Sequence, residues 1–248
     1  EMKSAKIWIA ALSIVITIAF AAWASTEHAS SGPSPDQAMK MLQDGNARYV
    51  KNAPKHPDAD AKRRKLTESK GQHPFATVLA CSDSRVPVEI LFDCGIGDIF
   101  VVRVAGNVSD TDEIGSIEYG ADHLGTPIMV VLGHTKCGAV TAVVQQAAVH
   151  GSIPKLVDNI TPAVEKVKAS EPNLSGDALI AAAIKANVWE SIQDLLKNSE
   201  AVRNRVKAGS LKVVGAIYDL GSGKVEWLGQ HPEQEKLLSE AAPETEHK

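Results

Sequence analysis

Two short, largely apolar runs, Phe75 to Leu79 and Ile128 to Leu132, constrain this chain more than any other feature. Each leads into a segment dense in reactive side chains. Ala80-Cys81-Ser82-Asp83-Ser84-Arg85-Val86-Pro87 follows the first, and Gly133-His134-Thr135-Lys136-Cys137-Gly138 follows the second. Runs of this kind read as strands buried on both faces, as in a parallel sheet covered by helices. Such sheets build their sites at the carboxyl ends of the strands, so Cys81, His134 and Cys137 can converge on one point although they lie far apart in the chain. Two thiolates and an imidazole suit zinc, and three protein ligands leave a position open for water.

The rest of the chain extends this pattern. Strands are expected at Phe75 to Ala80, Ile99 to Val104 and Ile128 to Leu132, with helices at Pro87 to Phe92, Asp110 to Leu124 and Cys137 to Val149. That alternation predicts right-handed βαβ crossovers. Further helices are expected at Pro154 to Ala169, at Ser175 to Asn198 and at Glu200 to Ala208. The second of these is amphipathic through Ile180, Ile184, Val188, Ile192 and Leu195, and the third stops at Gly209. Leu211 to Leu220 and Lys224 to Leu228 flank Gly221-Ser222-Gly223, a hairpin closing one sheet edge. Upstream, Ser34, Pro35 and Gln37 mark the capped start of a helix. Asn52 to Lys70 reads as a solvated connection with room for a helical turn at its end, and its cluster Lys62-Arg63-Arg64-Lys65 as wet surface. The predicted fold class is α/β: a mostly parallel central β-sheet flanked by helices, with an antiparallel edge strand and an N-terminal helical arm.

Aromatic residues make up only 4% of the 248, so the core must come from Val, Ile, Leu and Ala. A formal charge of -4 lacks the basic excess that nucleic acid would need, and no nucleic-acid partner is expected. At the start, Lys3 and Lys6, the apolar stretch Ile7 to Ala21 and the small residues of Ala22-Trp23-Ala24 read as a secretory signal cleaved before Ser25. An uncleaved membrane anchor is the competing reading. The expected organisation is a signal peptide at 1–24, a linker at 25–33, one folded domain at 34–230 and a charged, frayed tail at 231–248. Contact with a membrane would come only through the signal segment. Its location would be periplasmic in a bacterium, or otherwise exported.

ACSDSRVP followed by GHTKCGAV resembles the β-class carbonic anhydrase family. VVRVAGN at Val101 to Asn107 and GSIEYG at Gly115 to Gly120 support the likeness, which runs from about Ser34 to Gly229. The resemblance implies one zinc ion per subunit on Cys81, His134 and Cys137, and reversible hydration of carbon dioxide to bicarbonate and a proton. It also implies a homodimer whose partner completes each active-site cleft, with dimers able to pair into tetramers. In the family the equivalent of Asp83 is either paired with Arg85, leaving water on zinc, or bound to the metal in a closed, inactive site. The closed form goes with a Trp three residues before the first ligand, and this chain has Val78 there, which favours the open form. Gln72 matches a residue that hydrogen-bonds substrate across the dimer interface, and Phe100 and Tyr119 match residues lining the same apolar pocket.

The chemistry follows from the residue types as well. Zinc lowers the pKa of bound water and supplies hydroxide to attack carbon dioxide. Two thiolates neutralise the metal's formal charge, so its water is less acidified than among three histidines, and activity should rise toward alkaline pH. Arg85 can grip Asp83 bidentately and keep it ionised. An ionised Asp83 only accepts hydrogen bonds, which orients the hydroxide through its proton. Gly138 opens a helix where a missing side chain would admit an anion to the backbone N–H, or would simply let the helix pack.

Each reading has a plainer rival. Cys81 and Cys137 could be buried thiols or a disulfide, Phe100 and Tyr119 core residues, and Gln72 a surface amide. Cys94 reads as a buried bystander. His73, His123 and His150 are proton-shuttle candidates on residue type alone. Hydrolysis of carbonyl sulfide or carbon disulfide on the same fold stays open, as does a non-catalytic zinc or thiol protein. Intact Asp83 and Arg85 argue against a degenerate site, and the lack of a Cys-x-x-Cys pair argues against a redox role.

Overall fold

The structure is a computed structural model describing residues 32–240. The expected signal peptide, nearly all of the expected linker and the last residues of the tail lie outside the described residues. Helix α1 (Pro35–Val50) begins as its sequence predicts: Ser34 Oγ accepts from the Gln37 N–H and Gln37 Oε1 from the Ser34 N–H, closing a capping box. Its apolar positions Ala38 and Leu42 are fully buried.

Five strands form one sheet: β1 (Ala76–Ala80), β2 (Ile99–Arg103), β3 (Ile128–His134), β4 (Lys212–Tyr218) and β5 (Val225–Gly229), in the order β2-β1-β3-β4-β5. The first four are mutually parallel, and β5 runs antiparallel to β4 at one edge. Helix α2 (Ala61–Lys70) precedes β1, α3 (Val88–Leu91) follows it, α4 (Thr111–Glu118) links β2 to β3, and α5 (Gly138–Val144) leaves β3. Between β3 and β4 the chain continues through α6 (Ile153–Asp158), α7 (Thr161–Ser170), α8 (Gly176–Asn198) and α9 (Glu200–Lys207). Helix α10 (Gln234–Ser239) follows β5.

Side chains alternate across the strands, as a pleat requires. Val78, Val130, Leu132 and Val214 pack with Leu42 of α1 and Leu91 of α3 on one face. Leu79, Met129, Val131 and Val213 pack beneath Ile117 of α4 and Val188, Ile192 and Leu195 of α8 on the other. α8 comes so close that a Cβ on Gly133 would lie 2.7 Å from Val188 Cγ2, which makes glycine necessary there. A third cluster, with Ile160 and Val164 near α7 and Ile184 on α8, encloses Cys81 and Cys137.

Several boundaries differ from expectation for identifiable reasons. α2 is a full helix of 10 residues capped by Asp60, whose carboxylate accepts from the Arg63 N–H. None of its residues is buried, so it leaves no apolar periodicity to read, although its Ala, Lys, Arg and Leu are strong helix formers. α5 stops at Val144 because Gln146, at φ 51°, takes the left-handed position that glycine usually marks, with Ala147 N–H closing onto Ala142 O. The helix expected over Pro154 to Ala169 is broken into α6 and α7, since Pro162 has no N–H to continue it. α4 ends at Glu118 and runs on through a wide π turn, Tyr119–His123. The segment after Gln230, expected to fray, folds into α10 and buries Leu237 against the α8 side of the sheet. Among the described residues no helix is long and apolar enough to cross a membrane.

Candidate metal centre

Cys81 is the first residue beyond β1, His134 is the last of β3, and Cys137 caps α5 three residues later. Neighbouring parallel strands therefore deliver the three side chains to the same end of the sheet, where their ligand atoms lie within 4.8 Å of one another. All three are buried, and all cysteines are free, so the disulfide reading falls. Lys136, at φ 56°, bends the turn that brings Cys137 back beside His134, and a left-handed non-glycine residue is strain retained at a functional site.

The imidazole of His134 is oriented before any ligand arrives. Nδ1 donates to the Thr135 carbonyl at 3.0 Å, which fixes the tautomer and leaves Nε2 with a lone pair. That Nε2 is buried and has no hydrogen-bond partner. An orphaned buried nitrogen facing two thiols fits a tetrahedral zinc ligand set with one position to spare. The thiols behave as a coupled pair. A hydrogen bond from Cys137 is the main influence holding Cys81 down to about 4, helped by the Gly106 and Asp83 amides against the opposing effect of burial. Sharing with Cys81, then burial, pushes Cys137 upward.

Asp83 stands at the rim. Arg85 donates from Nε to Oδ1 at 2.9 Å and from Nη2 to Oδ2 at 2.7 Å, and its backbone N–H also reaches Oδ1. This grip holds the Asp83 carboxyl far below the usual carboxylate range, and Asp83 in turn raises Arg85. Oδ2 lies 3.9 Å from His134 Nε2, so one carboxylate oxygen faces the cluster while Arg85 secures both. Arg103, the last residue of β2, braces this loop from behind, donating to the Cys81 carbonyl at 3.0 and 3.1 Å and to the Asp83 carbonyl at 2.7 Å.

The sequence model of the carbonic anhydrase family matches residues 76–225, which includes every element that builds this centre. The chain belongs to the β-class carbonic anhydrase family. It is 41% identical over 199 residues to a carbonic anhydrase of Mycolicibacterium smegmatis, covering 78% of this chain and 93% of that one. A carbonic anhydrase 2 of Mycobacterium tuberculosis is 38% identical over 197 residues, covering 77% and 91%. Among solved structures, the β-carbonic anhydrase CafA of Aspergillus fumigatus superposes with a TM-score of 0.63 at 31% identity, over 71% of this chain and 86% of that one.

The other residues singled out by the β-carbonic anhydrase resemblance do not gather at the cluster within one chain. Gln72 is exposed ahead of β1, whereas Cys81 follows it, and the strand's five residues alone span about 16 Å. Phe100 pairs with Thr77 near the same amino end. Its ring lies 5.8 Å from that of Tyr119, which stacks on His123 at 4.7 Å. Tyr119 is 46% exposed, an aromatic presented outward rather than a core residue. Gly138 is exposed, and a Cβ there would meet nothing within 4 Å, so helix packing does not require the glycine. Cys94 is half-buried, donates to the Phe92 carbonyl, and is pushed up to about 12 by burial, as a bystander thiol would be. His73 and His150 are exposed.

Sequence reasoning missed the bracing groups. Arg103 and Gly106 lie inside VVRVAGN, where the motif was noted without a role for either residue. Thr135 was missed too: its Oγ1 donates to Asp219 and accepts from the Leu220 N–H, tying the His134 turn to the β4–β5 hairpin. For Thr135 the signal was a polar side chain next to His134 in the chain.

Proposed function

We propose that this protein is a zinc enzyme catalysing the reversible hydration of carbon dioxide to bicarbonate and a proton. The observation that carries the reading is the buried, partnerless Nε2 of His134 facing Cys81 and Cys137 beside a carboxylate clamped by arginine. Cys81, His134 and Cys137 would hold the ion. When bound, it supplies a Lewis acid that brings the pKa of water toward neutrality. Asp83, kept ionised by Arg85, can only accept, so it would accept a hydrogen bond from the O–H of the attacking oxygen and fix the direction of its lone pair. Arg85 holds the carboxylate in place through two parallel hydrogen bonds, and Arg103 holds the backbone beneath it. Gly138 leaves open space at the start of α5, where a small substrate can approach the backbone.

Because Gln72, Phe100 and Tyr119 lie at the opposite end of the strands, they would serve the site of a second copy. The proposed working unit is accordingly a homodimer with composite clefts. Export is proposed on the pattern of residues 1–24 alone. The test is stopped-flow carbon dioxide hydration between about pH 6.5 and 9, with zinc content measured on the same sample. Fast, zinc-dependent turnover across that range is expected. Zinc-loaded protein inert at every pH would move the reading to carbonyl sulfide or carbon disulfide, and protein unable to take up zinc would reject the metal centre.

A further inference from the structure

Behind the first ligand sulfur runs a connection that none of the sequence motifs contains. Helix α8 carries two polar residues one turn apart on its buried side, Asn187 at 1% exposure and Ser191 at 2%. Asn187 Nδ2 donates to the Gly106 carbonyl at 2.7 Å. Ser191 Oγ lies 2.9 Å from both the Asn107 carbonyl and the Asn187 carbonyl, with one proton to give to either. On the far side of the same turn, the Gly106 N–H donates to Cys81 Sγ at 3.3 Å. Gly106 sits at φ 77°, and a Cβ there would come within 2.6 Å of Ile160 Cδ1, so the turn favours glycine at this position.

The orientation of Asn187 is informative. A carbonyl can only accept, so the amide nitrogen must face Gly106, which turns Oδ1 away to a buried position without a partner. Leaving such an acceptor unpaired is costly, and an apolar residue would fill the same space without that cost. The benefit of the amide therefore lies in the bond it makes. Hydrogen bonds to ligand atoms orient them and adjust their charge, and outer-shell partners commonly change metal affinity by about 10–100-fold.

We propose that Asn187 is a positioning residue of the metal centre: by holding the Gly106 carbonyl it fixes the turn that aims the Gly106 N–H at Cys81 Sγ. The inference rests on the zinc reading above. Its test uses the full chain loaded with cobalt(II), whose thiolate-to-metal charge-transfer absorption reports the environment of the sulfur. Zinc affinity is measured in parallel by competition with a chromophoric chelator. Two variants remove the donor: Asn187→Ala, and the isosteric Asn187→Asp, which puts an acceptor where the donor was. Leu195→Ala, on the same helix but in the cluster that excludes the cysteines, controls for general loss of stability.

Both Asn187 variants are expected to bind one metal per chain with a displaced charge-transfer band and zinc affinity weakened about tenfold or more. Leu195→Ala should melt earlier with band and affinity unchanged. Folded Asn187 variants with the wild-type band and affinity would overturn the proposal, as would an equal displacement in Leu195→Ala. Failure of the wild-type protein to bind either metal strikes the zinc reading instead, so the two failures are distinguishable.

Discussion

His134 and Asp83 show how single residues acquire chemistry from their neighbours. The Thr135 carbonyl occupies one imidazole nitrogen and so exposes the other, while Arg85 occupies both carboxylate oxygens yet leaves lone pairs on the side facing the cluster. Cys137→Ser exchanges a thiolate for a hydroxyl that zinc binds poorly, and metal analysis should find the zinc content falling from about one per chain to near zero. Asp83→Asn should keep its zinc and lose about 100-fold or more of the hydration rate in stopped-flow, because an amide can donate into the position where only an acceptor orients the nucleophile. The clustering of Cys81, His134 and Cys137 and the Asp83–Arg85 pair were legible because the residues stand together just beyond apolar strand runs. Arg103 was not, since an arginine closing a strand reads the same whether it points at solvent or at two carbonyls of the neighbouring loop. Nor was Gly106, whose need for glycine comes from its φ of 77° and from Ile160, more than fifty residues further along.

Elements were predictable where burial writes a period into the sequence and misread where it does not. β1 and β3 are buried at every position and α8 carries an apolar stripe, so their existence and type could be read directly. α2 buries nothing and left only propensity, while the end of α5 depends on a glutamine in the left-handed region, which no composition rule marks. α10 is the clearest case: three of its six residues are exposed, and the charge of the segment masks the anchor Leu237, which is 2% exposed, with Leu238 packed partly beside it. Leu237→Ala should therefore cost about 2 kcal/mol, the low end for a buried leucine because the helix is short and peripheral, and should lower the melting temperature by several degrees. An unchanged melting curve by circular dichroism would return the segment to the frayed state read from its sequence.

At the scale of the whole molecule, charge and assembly each give a prediction. Burial, reinforced by Glu190, lifts the Asp194 carboxyl to about 6. The folded protein thus holds that proton more tightly than the unfolded chain. Its contribution to stability is greatest below pH of about 4 and declines as pH rises toward about 6. Asn at this position is always neutral, so Asp194→Asn should melt a few degrees higher than wild type at pH of about 7–8, with the advantage gone at about pH 4. Assembly follows from the polarity of the sheet. A parallel sheet sends every carboxyl end one way, so the Cys81, His134 and Cys137 cluster and the trio Gln72, Phe100 and Tyr119 lie at opposite ends of the strands in one chain, as the family resemblance implied for a site shared between two copies. If the proposed dimer builds composite clefts, a Cys137→Ser chain, metal-free but with its trio intact, can complete the site of a Gln72→Ala/Tyr119→Ala chain that still binds zinc. Refolded together in equal amounts, half the dimers would be mixed and each would carry one whole site, giving about a quarter of the wild-type rate from two nearly inactive parents. A rate no higher than the mean of the parents would mean that each chain builds its site alone.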